Sequence, residues 1–411
     1  MKRNFILKSK GIQLIISLLS SMIMLSSCTK TKPILSFSVT ETAGLPRMHA
    51  YVEIKVSADR SSEISNSICI KEKDSSRLIR GQVLDSMVQS SADKVYTCLF
   101  PVSIEANETK MYEVVCGKGP LHEEQLKSDG TPLNLKVENS FFIADLTDIK
   151  ATPDNGLGSG QLAGLVLKQF QDQLLQRSHI NMHWAPNFQK EELNYKTFGH
   201  IKEPDSLLIK NGPYLTTIYK SGFVDDYNEI RINYKYEFYA GLPYFIFTSE
   251  MRMEENIELF FLRNDEMTMD SLFTHVMFLH PDGEMNIIGL YEGNNIEELA
   301  ENPIRDDATW VCFFHDELKY GFGSIRLEYD NTNMDGQPSP LYENHTKISI
   351  SANNGRYWNR RLIHDQISHV PKGSRYYEKN AYLVFNVIQG EPSEEINAFH
   401  KQLTHPLQIQ Y

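Results

Sequence analysis

Four short stretches of this 411-residue sequence gather histidine, arginine, asparagine, carboxylates and tryptophan. RSHINMHWAPNF (177–188) holds His179, Asn181, His183 and Trp184. YKTFGHIKEPDS (195–206) places His200 after a glycine and before a polar turn. LRNDEMTMDSLFTH (262–275) sets Arg263, Asp265, Glu266 and Asp270 among methionines and aromatics. NNGRYWNRRLIHD (353–365) is the densest basic and aromatic run, with Arg356, Tyr357, Trp358, Asn359, Arg360, Arg361 and His364. An arginine fork grips a carboxylate or sulfate through two parallel hydrogen bonds. Histidine titrates near neutrality and serves as acid or base. A tryptophan face suits the C–H face of a pyranose. These residue types together point to carbohydrate chemistry.

Three functions use such a set. The first is a polysaccharide lyase that cleaves a uronate-bearing glycan by β-elimination. Arg356 and Arg360 would neutralise the uronate, His200 would act as base, and Tyr239 or Tyr357 as acid. Asn181, His183, Trp184, Arg263, Asp265, Glu266 and Trp358 would line the substrate. Neither a metal nor a cofactor is needed. His179 and His183 could pair on a metal, but no HExxH or comparable third element accompanies them. The second is a glycoside hydrolase with paired carboxylates, drawn from Asp265, Glu266 and Asp270 with Asp306 or Asp307 opposite. The third is a sugar-binding protein without catalysis. A solvated loop, a hydrogen-bonded surface histidine or an ordinary cross-strand ladder is the plain alternative for each block. No nucleophile elbow, P-loop, dinucleotide fingerprint or EF-hand is present.

Partners follow from the ends and the charge. Lys2, Arg3, Lys8 and Lys10 precede the apolar run IQLIISLLSSMIML (12–25), and L-S-S-C ends at Cys28. This has the form of a secretory signal with a lipobox, the cysteine being lipidated. Thr29 is not the aspartate that often holds lipoproteins in an inner membrane. The expectation is an outer-membrane lipoprotein on the periplasmic or cell-surface side, touching membrane through its lipid alone. The sequence carries 41 Lys+Arg and 53 Asp+Glu, and removing the four basic leader residues leaves 37 against 53, a net −16. Such a chain is no partner for nucleic acid, although a local arginine cluster can still hold an acidic glycan. Cys98 and Cys116 could bridge in an oxidising compartment; buried free thiols are the other reading for these two, Cys69 and Cys312. Oligomeric state is not readable.

The elements that must position the four blocks are strands. Residues 29–35 read as a tether. In HAYVEIKV, Val52, Ile54 and Val56 alternate with polar residues, the period of a half-buried strand. LIRGQVL, VYTCLFPVSI and MYEVVCG continue a small β domain over 36–132, closed by GKGP and KSDGTP. A larger region, 133–411, holds EIRINYKYEFY (229–239), with Ile230, Ile232, Tyr234, Tyr236 and Phe238 on one face. AGLP turns it into YFIFTSEMRM as a hairpin partner. IELFFL, NIIGLY, TWVCFF, FGSIRLEY, TKISIS and AYLVFNVI follow. NIEELA (295–300) and EEINAFHKQL (394–403) read as helices. GQLAGLVLKQFQDQLLQ (160–176) fits a helix or a buried strand. The fold class is therefore all-β: a small β-barrel or sandwich domain followed by a large antiparallel sandwich.

VTETAGLPRMHAYVEIKV (39–56) and VENSFFIADL (137–146) resemble the opening strands of the first two domains of exo-acting rhamnogalacturonan lyase-like proteins. The likeness covers about the first third of the chain. It implies a barrel-like first domain and a central supersandwich similar to galactose mutarotases, and it carries over no catalytic residue. With the lipoprotein signal, the architecture also resembles the glycan-utilisation lipoproteins of Bacteroidota.

Overall fold

Alternation builds the largest layer. In the strand Tyr227–Tyr239, Ile230, Ile232, Tyr234, Tyr236 and Phe238 are all buried. It pairs in register with Tyr244–Met253 through the AGLP turn, where Gly241 has φ +63° and a side chain would strain the backbone. These two strands lie inside a nine-stranded antiparallel sheet that runs from Ser206–Lys210 at one edge to Met285–Gly289 at the other. A computed structural model describes residues 33–59, 68–73, 75–88, 93–117, 119–131, 133–146, 160–175, 186–268, 272–291, 293, 304–341, 345–350, 356–364 and 366–411. Among these residues the secondary structure is strands apart from two 3-10 turns and one helix, Glu394–Thr404, which EEINAFHKQL anticipates.

A six-stranded sheet packs on the nine-stranded one. Its order is Lys196–Thr197, Asn187–Gln189, Phe261–Thr268, Arg356–Ile363, His345–Ile350 and Ile304–Arg305. Phe188, Leu262, Met267, Trp358 and Leu362 project from it into the same core as Tyr234, Tyr236 and Phe247 of the larger sheet. Each fully buried large apolar side chain there is worth about 1.5–3 kcal/mol. A five-stranded sheet, Gln173–Leu175 to Lys127–Thr131, flanks the same core. The fold is the all-β sandwich that the alternation predicts.

One local reading is settled and two change. Of the two readings of 160–176, the described residues 160–175 take the strand rather than the helix. Gly164–Leu167 pairs with Phe142–Asp145, a 3-10 turn follows, and Gln173–Leu175 returns. Gln171 and Asp172 carry φ of 60° and 54°, which no helix accommodates. KSDGTP is not an exit linker, because Lys127–Thr131 is a strand paired with Asn134–Glu138. The C-terminus does not stay with the large sandwich: Gln408–Gln410 pairs with Leu35–Thr40 of the small domain. NIEELA lies outside the described residues. Cys69, Cys98, Cys116 and Cys312 are all free thiols.

Candidate functional site

The blocks singled out in the sequence lie on neighbouring strands of the six-stranded sheet. The end of INMHWAPNF forms Asn187–Gln189, YKTFGH forms Lys196–Thr197 and its 3-10 turn, FLRNDEMT forms the central strand, and RYWNRRLI the next. Thr197 stands opposite Asn187, Asn187 opposite Arg263, and Arg263 opposite Arg361. Glu266 stands opposite Asn359. Because Phe188, Leu262, Trp358 and Leu362 fill the core, their alternates Asn187, Arg263, Asn359 and Arg361 project from the other face.

A β-bulge adds Glu266 to that face. Asp265 has φ +47°, and the register shifts between Asn264 and Glu266. Two successive residues, Asn264 and Asp265, thus turn toward the nine-stranded sheet. Glu266 then emerges beside Arg263 rather than opposite to it, a re-aiming that bulges commonly perform. Asn187 Nδ2 donates to Glu266 Oε2 at 3.1 Å, and Arg361 Nε donates to Asn359 Oδ1 at 2.8 Å. Arg361 Nη1 also meets His364 Nε2, so the imidazole proton sits on Nδ1. The Arg263 guanidinium lies 4.5 Å over the Phe261 ring.

All five of these polar residues are buried, Arg263 being the most open at 9 %. Asn187 Oδ1, Arg263 Nε and Asn359 Nδ2 nonetheless have no hydrogen-bond partner among the described residues. Each such atom costs about 1–3 kcal/mol. A buried set of this kind is complementary to groups that bring both acceptors and donors.

Behind it, between the sheets, lies a second polar set. Asp265 accepts from Ser324 Oγ at 2.7 Å and from the Tyr382 hydroxyl at 2.6 Å. Glu378 Oε1 accepts from the Asp265 backbone N–H at 3.2 Å and from Ser249 Oγ at 3.1 Å. Arg360 donates to Asp306 at 2.7 Å and to Asn264 at 3.3 Å, and it stacks on the Tyr329 ring. Burial, then the neighbouring Asp265 carboxylate, pushes Glu378 up to about 8. Two hydroxyl donors favour the charge on Asp265, so the proton of the pair sits on Glu378. Asp265 and Asp306 then balance Arg326 and Arg360.

Several expected roles fail on this geometry. Arg356 and Arg360 share the core-facing side of their strand with Trp358. Arg356 Nε donates to the Leu290 carbonyl at 3.2 Å, and Arg360 serves Asp306, so neither is placed to neutralise a substrate carboxylate. Trp358 is 1 % exposed and donates to Thr346 Oγ1, which makes it core rather than a sugar platform. Asp265 faces inward. Tyr239 lies on the opposite face of the nine-stranded sheet, packed on Tyr51 and Tyr244. His200 sits in the 3-10 turn after Thr197, its Nδ1 accepting the Thr197 N–H at 3.1 Å. Arg263 and Glu266 do reach the polar face, and Tyr357 shares the side of its strand with Asn359 and Arg361. Asn181, His183, Trp184 and Cys28 lie outside the described residues.

Asn187, Asn359, Arg361 and His364 were within the quoted blocks but not chosen. The signal was Trp358: the bulkiest apolar residue of RYWNRR marks the inward face, which assigns Asn359 and Arg361 to the other. A further group, His280, Asp282 and Glu284, brings three ligand atoms within 4.8 Å of one another. Arg305 already bridges to Asp282 at 2.7 Å, and its backbone N–H points at His280 Nε2.

No protein-family model and no curated protein matches the sequence. The fold is similar to a protein in glycosyl hydrolase family 38 from Enterococcus faecalis, at TM-score 0.51 and 11% identity over 91% of this chain and 47% of that one. It is similar to the same degree to an alpha-mannosidase from Enterococcus faecalis V583, at TM-score 0.51 and 10% identity over 91% of this chain and 45% of that one. An alpha-galactosidase from Lactobacillus brevis matches at TM-score 0.35 and 8% identity over 68% of this chain and 42% of that one. The chain spans about half the length of the first two. At these identities the likeness defines a fold class, a β-sandwich assembly that occurs in glycoside hydrolases.

Proposed function

We propose that this chain is a carbohydrate-active protein whose six-stranded sheet presents a site for an acidic sugar. The observation that carries the reading is the buried row Asn187–Arg263–Arg361 with Glu266 and Asn359, three of whose polar atoms lack partners among the described residues. Two arginines directly opposite each other match a carboxylate. For β-elimination they would withdraw charge from a uronate, making the proton on the adjacent carbon acidic. His364 would take that proton at Nε2 once the substrate carboxylate draws the Arg361 N–H away from it. The electrons would form the ring double bond, and Tyr357 would protonate the departing glycosidic oxygen. These residues replace Arg356, Arg360 and Tyr239 in the roles first expected. His200 stays at the Thr197 end as a flanking group.

Hydrolysis is the second reading. It is favoured by the likeness to a family 38 glycosyl hydrolase and an alpha-mannosidase. Glu266 would then be one of the two carboxylates. A lipidated Cys28 would fit either reading, since it would put the protein on an envelope where glycan polymers arrive. The test is incubation of purified protein with polygalacturonate, alginate, hyaluronan and neutral mannans and galactans. An unsaturated uronide absorbing in the far ultraviolet supports elimination. Reducing ends without that absorbance support hydrolysis. Binding without products leaves a lectin-like role, and no interaction with any of them overturns the proposal.

A further inference from the structure

A partly enclosed hollow among the described residues lies away from the polar face. It lies where the small β domain, the nine-stranded sheet and the C-terminal helix meet, and has a volume of about 230 Å³. The sequence places chemistry there through two alternations. In Arg47–Asp59, Val52, Ile54 and Val56 enter the small domain's core, so His49, Tyr51 and Glu53 face the large sandwich. In Tyr227–Tyr239, the even positions fill the main core, so Tyr239 points the other way, and the AGLP turn brings Tyr244 beside it. Phe399 of the helix closes one wall against Tyr244, with ring centroids 6.1 Å apart.

Most polar groups around this hollow are already occupied. Tyr51 donates to the Ala240 carbonyl at 2.9 Å, and His49 Nε2 lies 2.9 Å from the Tyr51 hydroxyl. Arg47 is spent on Glu41 and on the carbonyls of Gln402 and His405. Three groups are different: among the described residues the hydroxyls of Tyr239 and Tyr244 and the carboxylate of Glu53 have no hydrogen-bond partner. All three line the hollow. Burial and the nearby Glu237 carboxylate hold the Tyr239 hydroxyl protonated, a donor as well as an acceptor.

We infer that this interdomain hollow is a second binding site, for one neutral sugar ring. The volume falls below that of drug-sized pockets and suits a single small ring. Aromatic walls match the C–H face of a pyranose, while two hydroxyls and a carboxylate match its vicinal hydroxyl groups. Among the described lining residues Arg47 is the only lysine or arginine, and it already serves Glu41, Gln402 and His405, so an anionic sugar gains little here. The site is therefore distinct in place and chemistry from the arginine-rich face.

The test is calorimetric titration of the full chain with methyl glycosides of galactose, glucose, mannose and N-acetylglucosamine. Saturable binding of at least one is expected. A Tyr239→Phe, Tyr244→Phe double variant keeps both rings and should bind at least about tenfold more weakly. Arg361→Gln, on the other face, should bind the same glycoside unchanged. If none of the four glycosides titrates, or if the double variant binds as tightly as the parent, the inference is overturned. Loss of binding in Arg361→Gln with retention in the double variant would assign the sugar to the polar face instead.

Discussion

Arg263 shows how a single side chain separates function from stability. Among the described residues it has no carboxylate partner, only the Phe261 ring, and its Nε is unpaired. A buried cation without a counter-charge is destabilising, and an apolar replacement of similar length often gains stability. Arg263→Met should raise stability by about 1–2 kcal/mol and cut glycan turnover by a factor of a hundred or so. Urea melts and product assays on the same preparation check both. A variant that loses stability as well would make Arg263 structural. Glu378 gives a pH prediction. Its folded value of about 8 lies above its ordinary 4.5. The folded chain therefore keeps a proton that the unfolded chain releases, and the pair's stability contribution is complete below about 4.5 and is lost as pH rises through about 8. Thermal melts between these limits should show falling stability, and Glu378→Gln should flatten the slope. Equal slopes in parent and variant would put the proton elsewhere. At this scale Trp358 is the one signal in RYWNRR for which side faces the core. The partners met there, Ser324, Glu378 and Tyr382, lie on distant strands of the opposing sheet and leave no local trace.

At the scale of the element, alternation was legible wherever strands are regular, and it failed where one residue is added or a turn intervenes. Val52, Ile54 and Val56, and the 230–238 series, fell on the faces their spacing predicts. The bulge at Asp265 was not visible, since period-two reading puts Asp265 and Arg263 together and sends Glu266 to the core. Its left-handed backbone costs about 1 kcal/mol or more for a non-glycine residue, though aspartate tolerates it better than most. The Ser324 and Tyr382 hydrogen bonds offset that cost. Asp265→Asn keeps an acceptor and the tolerance, and should lose about 1 kcal/mol. Asp265→Ala strands both hydroxyls and should lose about 3 kcal/mol or more. Equilibrium unfolding of the two variants compares them directly. Near-equal losses would mean that the inward hydrogen bonds do not hold the bulge. In sequence the 160–176 segment stays open between helix and strand for a different reason. Its apolar content suits either period, and only the left-handed pair Gln171–Asp172 decides for a hairpin-like return.

For the whole molecule, the two-domain division expected from the sequence leaves out the way the chain closes on itself. Sequence order suggests that residues after 133 belong to the large sandwich. The last strand instead adds an edge to the first, pairing Ser38 with Gln410 and Thr40 with Gln408. Leu407 and Ile409 pack on the small domain's core. Arg47 grips the end of the helix through the Gln402 and His405 carbonyls while Glu41 balances its charge. No local period carries such information, because the partner strand is hundreds of residues away. The consequence is that the small domain is incomplete without the C-terminus. Deleting residues 407–411 removes two partly buried aliphatic side chains and exposes a strand edge, which should cost the small domain about 2–3 kcal/mol. The large sandwich keeps all its strands. Calorimetry should therefore show the small domain melting separately and earlier, with the main transition unmoved. The deletion also strips Leu407 from the interdomain hollow. Methyl glycoside binding there should weaken in the same variant while the polar face keeps its glycan activity. Were both activities and both transitions to survive intact, the C-terminal strand would be an ornament on a small domain that folds alone.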